Sequence, residues 1–220
     1  MKEKSKNLLN IILTSVLFVI FGVYTYLVKT IDVAPIGVLK NKVGFSTING
    51  WFQGLIGKNM TIYKITEYLG YALLLIVVIF GVIGLVQLIK RKSLKKVDKE
   101  ILALGVLYVC MAIVYVLFEK VIINYRPILI GGELEASYPS SHTVLSIGGG
   151  ISFWMISSKY FGKFTKLVNF VVLSLLTLVI AGRIISGVHW LTDILGGIIV
   201  SVALISLYNT LISYKKTKKK

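Results

Sequence analysis

Six long apolar segments, separated by short polar connections, make up most of the sequence. Each is close to the roughly 20 residues that an α-helix needs to cross a bilayer. The segments are residues 8–28, 67–89, 101–118, 143–158, 167–185 and 190–212. The first is longer than the apolar core of a signal peptide and has no small-residue cleavage site after it, so we expect it to be retained. The pattern predicts an all-α polytopic membrane protein with six transmembrane helices, in which residues 1–220 form one domain.

The composition agrees with this class and excludes several others. Hydrophobic residues occupy 56% of the 220 positions, and the mean hydropathy is +0.84. This is too apolar for a soluble domain of this size. The single cysteine, Cys110, lies within the third apolar segment. An intramolecular disulfide and a cysteine-based metal site are therefore excluded.

Basic residues outnumber acidic residues by 25 to 9, which gives a net charge of +16. Most of them fall in segments that share one side of the membrane if six helices alternate across it. These residues are Lys2, Lys4, Lys6, Lys90, Arg91, Lys92, Lys95, Lys96, Lys99, Lys159, Lys163, Lys166, Lys215, Lys216, Lys218, Lys219 and Lys220. Because cytoplasmic loops are rich in lysine and arginine, we expect both termini to be cytoplasmic in a bacterial plasma membrane. Attraction to anionic lipid accounts for the charge, and no nucleic-acid partner is predicted.

The opposite, outer side receives the longest connection of the chain, residues 29–64. In it, Trp51, Phe52, Leu55 and Ile56 recur at nearly helical spacing. This spacing suits a short amphipathic helix in the membrane interface. A packed lid or plug without a role in substrate binding is an equally good interpretation. The other two outer connections are residues 120–141 and the turn at Ser186 and Gly187.

Candidate chemistry lies at these two outer connections, each of which is closely followed by one of the two histidines. Pro139-Ser140-Ser141-His142 stands at the predicted start of the fourth helix. The Ser140 hydroxyl and the N–H groups of a helix N-terminus suit an anion. His142, in the first turn, is placed to donate a proton to a leaving oxygen. Lys120 and Arg126 add positive charge on the same side.

The second histidine, His189, lies between Arg183 and Asp193 in the sequence. If the chain is helical from Trp190, His189 and Asp193 share one helix face. An aspartate that accepts a hydrogen bond from one ring nitrogen directs the lone pair of the other nitrogen outwards. The planar guanidinium of Arg183 suits a phosphate group. The cluster therefore predicts a histidine nucleophile for phosphoryl chemistry, with a simple ion pair between Arg183 and Asp193 as the alternative.

Together these residues resemble the type 2 phosphatidic acid phosphatase (PAP2) superfamily, whose motifs are K-x6-R-P, P-S-G-H and S-R-x5-H-x3-D. The sequence has the three motifs in the same order, within residues 120–193. They read Lys120-x5-Arg126-Pro127, Pro139-Ser140-Ser141-His142 and Gly182-Arg183-x5-His189-x3-Asp193. The resemblance implies a PAP2-type helical core in a six-helix membrane fold, with the active site facing outwards. The spanning helices exclude the soluble haloperoxidases of the superfamily.

Three positions depart from the family pattern. Lys120 is one residue closer to Arg126 than the pattern requires, and Glu119 occupies the position expected for the lysine. Ser141 replaces a glycine, and Gly182 replaces a serine. None of these changes removes a residue to which the resemblance gives a catalytic role.

The resemblance implies a mechanism in two steps. His189, oriented by Asp193, attacks phosphorus and forms a phosphohistidine, while His142 protonates the departing oxygen and then activates water. The residues that bind the phosphate oxygens are Lys120, Arg126, Ser140, Ser141 and Arg183. This mechanism needs no metal or other cofactor. The outer-face carboxylates also form no metal-ligand pattern with the histidines; they are Glu119, Glu133 and Glu135.

The function expected from these residues is hydrolysis of a lipid phosphate or diphosphate at the outer face. The resemblance favours undecaprenyl diphosphate, a carrier lipid that bacteria dephosphorylate at that face. Phosphatidylglycerophosphate and phosphatidic acid are alternative substrates, and lipid phosphotransfer is an alternative reaction. A catalytically inactive membrane relative is the non-enzymatic alternative. It predicts polar residues throughout the helix interiors, whereas the middles of the apolar segments are nearly free of charge.

Overall fold

The computed structural model describes residues 2–214, with side chains from residue 4, and this part of the chain is helical without named strands. In chain order the helices are α1 (Lys2–Thr30), α2 (Ser46–Ile56), α3 (Met60–Arg91), α4 (Lys99–Lys120), α5 (Ser141–Phe161), α6 (Thr165–Ile185) and α7 (Leu191–Ser213). Short 3-10 turns at Leu94–Lys96 and Gly162–Phe164 precede α4 and α6. The basic residues predicted at 215–220 lie outside the described residues.

The six predicted spans are confirmed as α1 and α3 to α7. Five stretches of the described chain are long and apolar enough to cross a membrane, and the longest, Ser141–Ile185, contains both α5 and α6. The helices extend beyond the apolar segments. For example, α3 begins at Met60 rather than at residue 67, because Asn59 caps it by accepting a hydrogen bond from the Ile62 N–H at 3.0 Å. These extensions carry polar residues at the helix ends.

The short helix predicted in the first outer connection is confirmed as α2. Its Phe52 side chain is buried, whereas Trp51 and Leu55 are exposed, so the helix is amphipathic. Its buried face contacts the start of α7, where the Asn49 amide donates to the Thr192 hydroxyl at 2.9 Å. The helix therefore packs over the N-terminal end of α7, and its Gln53 amide donates to the Gly187 carbonyl of the preceding segment at 3.0 Å.

Helix α7 lies at the centre of the bundle, in contact with α1, α4 and α5. Helix α5 also packs against α3 and α6. The outward faces of the helices remain apolar, as Leu75 on α3 and Phe170 on α6 illustrate, and this is the surface that a bilayer requires. Because the helices alternate in direction, residues 121–140 and 186–190 meet at the same end of the bundle, which brings the two histidine clusters together.

Candidate active site

His189 lies just before α7 and is joined to Asp193 through the hydroxyl of Ser137. Ser137 Oγ is 3.0 Å from His189 Nδ1 and donates to Asp193 Oδ2 at 2.5 Å. The direct distance between Nδ1 and Oδ2 is 3.9 Å, which is too long for a hydrogen bond. Helix α7 begins at Leu191, so the predicted helical pairing of His189 with Asp193 does not form. A chain of two hydrogen bonds takes its place.

Asp193 is a fully buried carboxylate held by three donors. Besides the Ser137 hydroxyl, Oδ2 accepts from the Trp190 backbone N–H at 3.0 Å. The side-chain amide of Asn124 donates to Oδ1 at 3.1 Å. The bond to Trp190 also caps the N-terminus of α7. These hydrogen bonds therefore fix the orientation of the Asp193 carboxylate. They also fix the orientation of the Ser137 hydroxyl, which reaches His189.

Arg126 faces the other ring nitrogen of His189, with Nη1 at 3.2 Å from Nε2. Its Nε pairs with the Glu135 carboxylate at 2.9 Å. A guanidinium has only donors, so Nε2 acts as an acceptor and the ring hydrogen lies on Nδ1, towards Ser137. Burial, followed by the positive charges of Arg126 and Arg183, lowers the pKa of His189 well below its ordinary value. His189 is therefore neutral, with its lone pair at Nε2.

Arg183 is fully buried in the last turn of α6. Its Nη2 donates to Glu67 Oε1, and the guanidinium lies 4.9 Å from the centre of the Tyr63 ring. Its Nε and Nη1 are buried and find no hydrogen-bond partner among the residues that the structure describes. Buried donors without an acceptor cost free energy. An anion that accepts hydrogen bonds from Nε and Nη1 would therefore remove this cost and bind favourably at this edge of the guanidinium.

His142, in the first turn of α5, lines the same cavity as His189. Its Nε2 lies 3.3 Å from Glu67 Oε1, and its Nδ1 is buried without a hydrogen-bond partner in the described part of the chain. The structure thus brings together the two histidines and the two arginines that the sequence singled out. It adds a carboxylate from α3, which lies outside the three sequence motifs.

Ser140 and Ser141 face in different directions. Ser140 is fully buried against α7: its N–H donates to the Asp193 carbonyl at 3.0 Å, and its hydroxyl accepts from Thr143 at 3.0 Å. Ser140 is not among the residues that line the cavity, and its binding of phosphate stays a prediction. Ser141, the first residue of α5, lines the cavity instead. The N–H groups of this first turn have no partner within their helix.

Glu119, and not Lys120, lines the cavity beside Arg126. Lys120 is exposed and lies outside the cavity wall. The one-residue displacement noted in the sequence has a structural counterpart, because successive residues of a helix point about 100° apart. The structure consequently does not bring Lys120 to the other predicted phosphate ligands.

An apolar cavity of about 440 Å³ opens at the histidines and extends between α3, α4 and α5. Its polar end holds Arg126, His142 and His189. Its walls are formed mainly by Leu74, Val77, Tyr108, Met111, Tyr115, Val144 and Leu145. Tyr108 and Glu119 are eleven residues apart on α4, which corresponds to a depth of about 16 Å. A small polar group and a long apolar chain would fit its two ends.

Among the described residues, no group of three or more histidine, cysteine or carboxylate side chains is arranged to hold a metal ion. The carboxylates nearest the histidines already have donors as partners: Glu67 binds Arg183, and Asp193 binds Ser137 and Asn124. Metal independence of the reaction stays a prediction.

Sequence reasoning missed Ser137, Asn124 and Glu67. Ser137 belongs to the same polar segment as His142, but nothing in that segment shows that its hydroxyl reaches His189. A signal was available for Glu67, because a charged side chain within an apolar membrane segment usually has a function. The missing information was its partner, which comes from other helices.

Comparison with known proteins agrees with this architecture. The model of the PAP2 superfamily matches residues 106–217, just over half of the chain, and these contain both histidines and both arginines of the site. The crystal structure of a transmembrane PAP2-type phosphatidylglycerolphosphate phosphatase from Bacillus subtilis is similar, with a TM-score of 0.60 and 17% sequence identity. The similarity covers 94% of this chain and 98% of that one, and at this identity it extends to the fold. No curated protein sequence matches the chain significantly.

Proposed function

The chain belongs to the PAP2 superfamily, and we propose that it is a membrane phosphatase that hydrolyses a lipid phosphate or diphosphate through a phosphohistidine on His189. The observation that carries the proposal is the state of this ring. Nε2 presents its lone pair beside Arg126. Nδ1 is hydrogen-bonded to the Ser137 hydroxyl, which in turn is hydrogen-bonded to Asp193. Nucleophilic attack on a phosphate requires a neutral, oriented nucleophile next to positive charge.

In the first step, the Nε2 lone pair of His189 forms a bond to phosphorus while the bond to the leaving oxygen breaks. The electron pair of that bond departs with the oxygen. Positive charge develops on the ring, and the Asp193 carboxylate balances it through the Ser137 hydroxyl. Arg126 and the unpaired edge of Arg183 bind the equatorial oxygens, where the negative charge of the transition state is spread.

His142 supplies the proton that the leaving oxygen needs. In the second step, water attacks the phosphohistidine, and its proton passes to His142. The bond between phosphorus and Nε2 then breaks, its electron pair returns to the ring, and His189 is neutral again. The N–H groups of the first turn of α5, beginning with Ser141, suit the phosphate as a further set of donors.

The apolar cavity supports a lipid as the substrate. It begins at the two histidines and follows α4 for about 16 Å, a depth that a hydrocarbon chain can fill. Each CH₂ group that enters adds about 0.8 kcal/mol, or roughly a fourfold gain in binding. We therefore expect KM to fall with chain length in a series of alkyl phosphates, at constant detergent concentration, until the chain reaches the bottom of the cavity.

We assign the site to the outward face of the membrane, because the basic connections at the opposite helix ends favour the cytoplasm. Undecaprenyl diphosphate is the substrate that we propose first. It is a single apolar chain that ends in a diphosphate group, and its dephosphorylation is expected at that face. The choice follows from the family resemblance and the inferred orientation.

A phosphatidyl monoester such as phosphatidylglycerophosphate is the second candidate, and the acidic residues of the site favour it. Glu119 lines the cavity, Glu135 pairs with Arg126, and Glu67 pairs with Arg183. A diphosphate carries more negative charge than a monoester and meets the same carboxylates. The monoester therefore needs less compensating positive charge.

The test is phosphate release by the purified protein in detergent with excess EDTA, for the wild type and His189→Ala. The substrates are undecaprenyl diphosphate, phosphatidylglycerophosphate and phosphatidic acid. We expect release by the wild type alone, and alkaline quenching with a ³²P-labelled substrate should trap label on the protein. Labelled lipid acceptors in place of free phosphate would indicate a phosphotransferase. Absence of release from all three substrates would contradict the proposal and favour an inactive relative.

A further inference from the structure

A carboxylate in the outer part of α3 joins two groups of the proposed site. One oxygen of Glu67, Oε1, accepts a hydrogen bond from Arg183 Nη2 and lies 3.3 Å from His142 Nε2. No other charged residue follows in α3 until Lys90. Charged side chains in membrane helices are rare and usually functional. Glu67 therefore needs an explanation beyond helix packing.

The backbone of α3 approaches the ring of His142 closely. Gly70 lies one turn after Glu67, and a Cβ atom at Gly70 would stand 2.7 Å from Cδ2 and 2.9 Å from Nε2 of His142. The absence of a side chain at Gly70 lets the ring rest against α3 next to the carboxylate. Nε2 therefore lies against the carboxylate, whereas Nδ1 has no hydrogen-bond partner among the residues that the structure describes.

Two positive charges also act on His142. The charged groups that act on it are Arg183 from α6, Arg126 from the connection after α4, and Glu67 from α3, and His189 faces it across the cavity. Two guanidinium groups oppose an imidazolium, whereas a carboxylate at 3.3 Å favours it. Glu67 is the single negative charge in this set.

We infer that Glu67 is a positioning residue that orients the ring of His142 through Nε2 and stabilises its protonated form. This inference rests on the phosphatase function proposed above. As the bond between phosphorus and the leaving oxygen breaks, its electron pair stays on the oxygen, and the protonated His142 gives one ring proton to that oxygen. His142 is then neutral beside the Glu67 carboxylate. It regains a proton from the water whose oxygen bonds to phosphorus.

The test compares two leaving groups in Glu67→Gln, which keeps the shape of the side chain and removes its charge. Hexyl phosphate releases an alkoxide that must be protonated, and we expect its kcat to fall about 100-fold, within the range of general acid catalysis. p-Nitrophenyl phosphate releases a phenolate that leaves without a proton, so its kcat should fall less than about threefold. The matched control is Glu133→Gln, an exposed carboxylate in the same outer connection as Arg126, which should leave both rates unchanged.

The ratio of the two rates in one preparation does not depend on how much of the variant is folded. His142→Gln should show the same selective loss, because it removes the acid itself. An equal fall on both substrates in Glu67→Gln would overturn the inference and reduce Glu67 to a structural partner of Arg183. Failure of the phosphatase function is recognised separately: the wild type would hydrolyse neither substrate, or His189→Ala would retain activity on both, and the inference would fall with it.

Discussion

Replacing Ser137 with alanine removes the hydroxyl that joins His189 to Asp193 and leaves both residues in place. In the wild type, this hydroxyl lies 3.0 Å from His189 Nδ1 and 2.5 Å from Asp193 Oδ2. Without it, Nδ1 and Oδ2 face each other at 3.9 Å. Asp193 keeps its bonds to Trp190 and Asn124, so it stays where it is. The ring of His189 loses the acceptor that orients it.

The size of the effect follows from the bond that is lost. A hydrogen bond in a chain that ends on a carboxylate contributes about 1.5–3 kcal/mol. The positive charge on the ring develops during attack, so the lost hydrogen bond raises the free energy of the transition state above that of the bound substrate. The kcat should therefore decrease about 10- to 150-fold. Since the change leaves the phosphate-binding arginines intact, we expect KM to change much less than kcat.

The assay is a steady-state measurement of phosphate release in detergent, beside His189→Ala and a matched serine control. Ser201→Ala is suitable as the control, because its buried hydroxyl donates only to the Gly197 carbonyl of its own helix. The control should retain wild-type kcat. If Ser137→Ala retained at least half of the wild-type kcat while His189→Ala was inactive, Asp193 would have to act on His189 directly. The hydrogen-bonded chain through Ser137 would then be refuted as the orienting element.

Three further predictions concern the same site. Because the pKa of His189 is lowered, its ring should stay neutral well below pH 6.5, with the hydrogen on Nδ1. The measurement is ¹⁵N-histidine NMR, in which the His142→Gln variant identifies the signals of His189. An imidazolium signal from His189 at pH 6.5 would contradict this prediction. Arg126→Ala should abolish activity, whereas Lys120→Ala should lower it less than about threefold, and equal losses in a kinetic comparison would argue that Lys120 also binds phosphate. Excess EDTA should leave the rate unchanged; a loss restored by a divalent ion would contradict the metal-free mechanism.

The helices of this protein could be predicted because their cause is local. A chain in hydrocarbon must satisfy its backbone hydrogen bonds internally, so an apolar stretch of about 20 residues becomes a helix whatever its neighbours are. The six spans are confirmed for this reason. Their ends were less accurate, because caps such as Asn59 act through single hydrogen bonds that hydropathy does not report.

The meeting of the histidine clusters was also predictable. Alternating helices return the chain to the same side, and both histidines line one cavity. The contacts within the cluster were less accessible. Local spacing suggested a direct hydrogen bond between His189 and Asp193, but α7 begins at Leu191, and Ser137 from the connection between α4 and α5 lies between them.

The sequence by itself determined the class of the protein, the number of its helices and most of the chemical groups of the candidate site, since apolar length and motif spacing depend on neighbours in the chain. The tertiary structure alone decided which of these groups touch. It turned Glu119 rather than Lys120 to the cavity, directed Ser140 towards α7 and brought Glu67 to Arg183 and His142. Such contacts depend on the rotation and tilt of packed helices, and these are properties of the whole bundle.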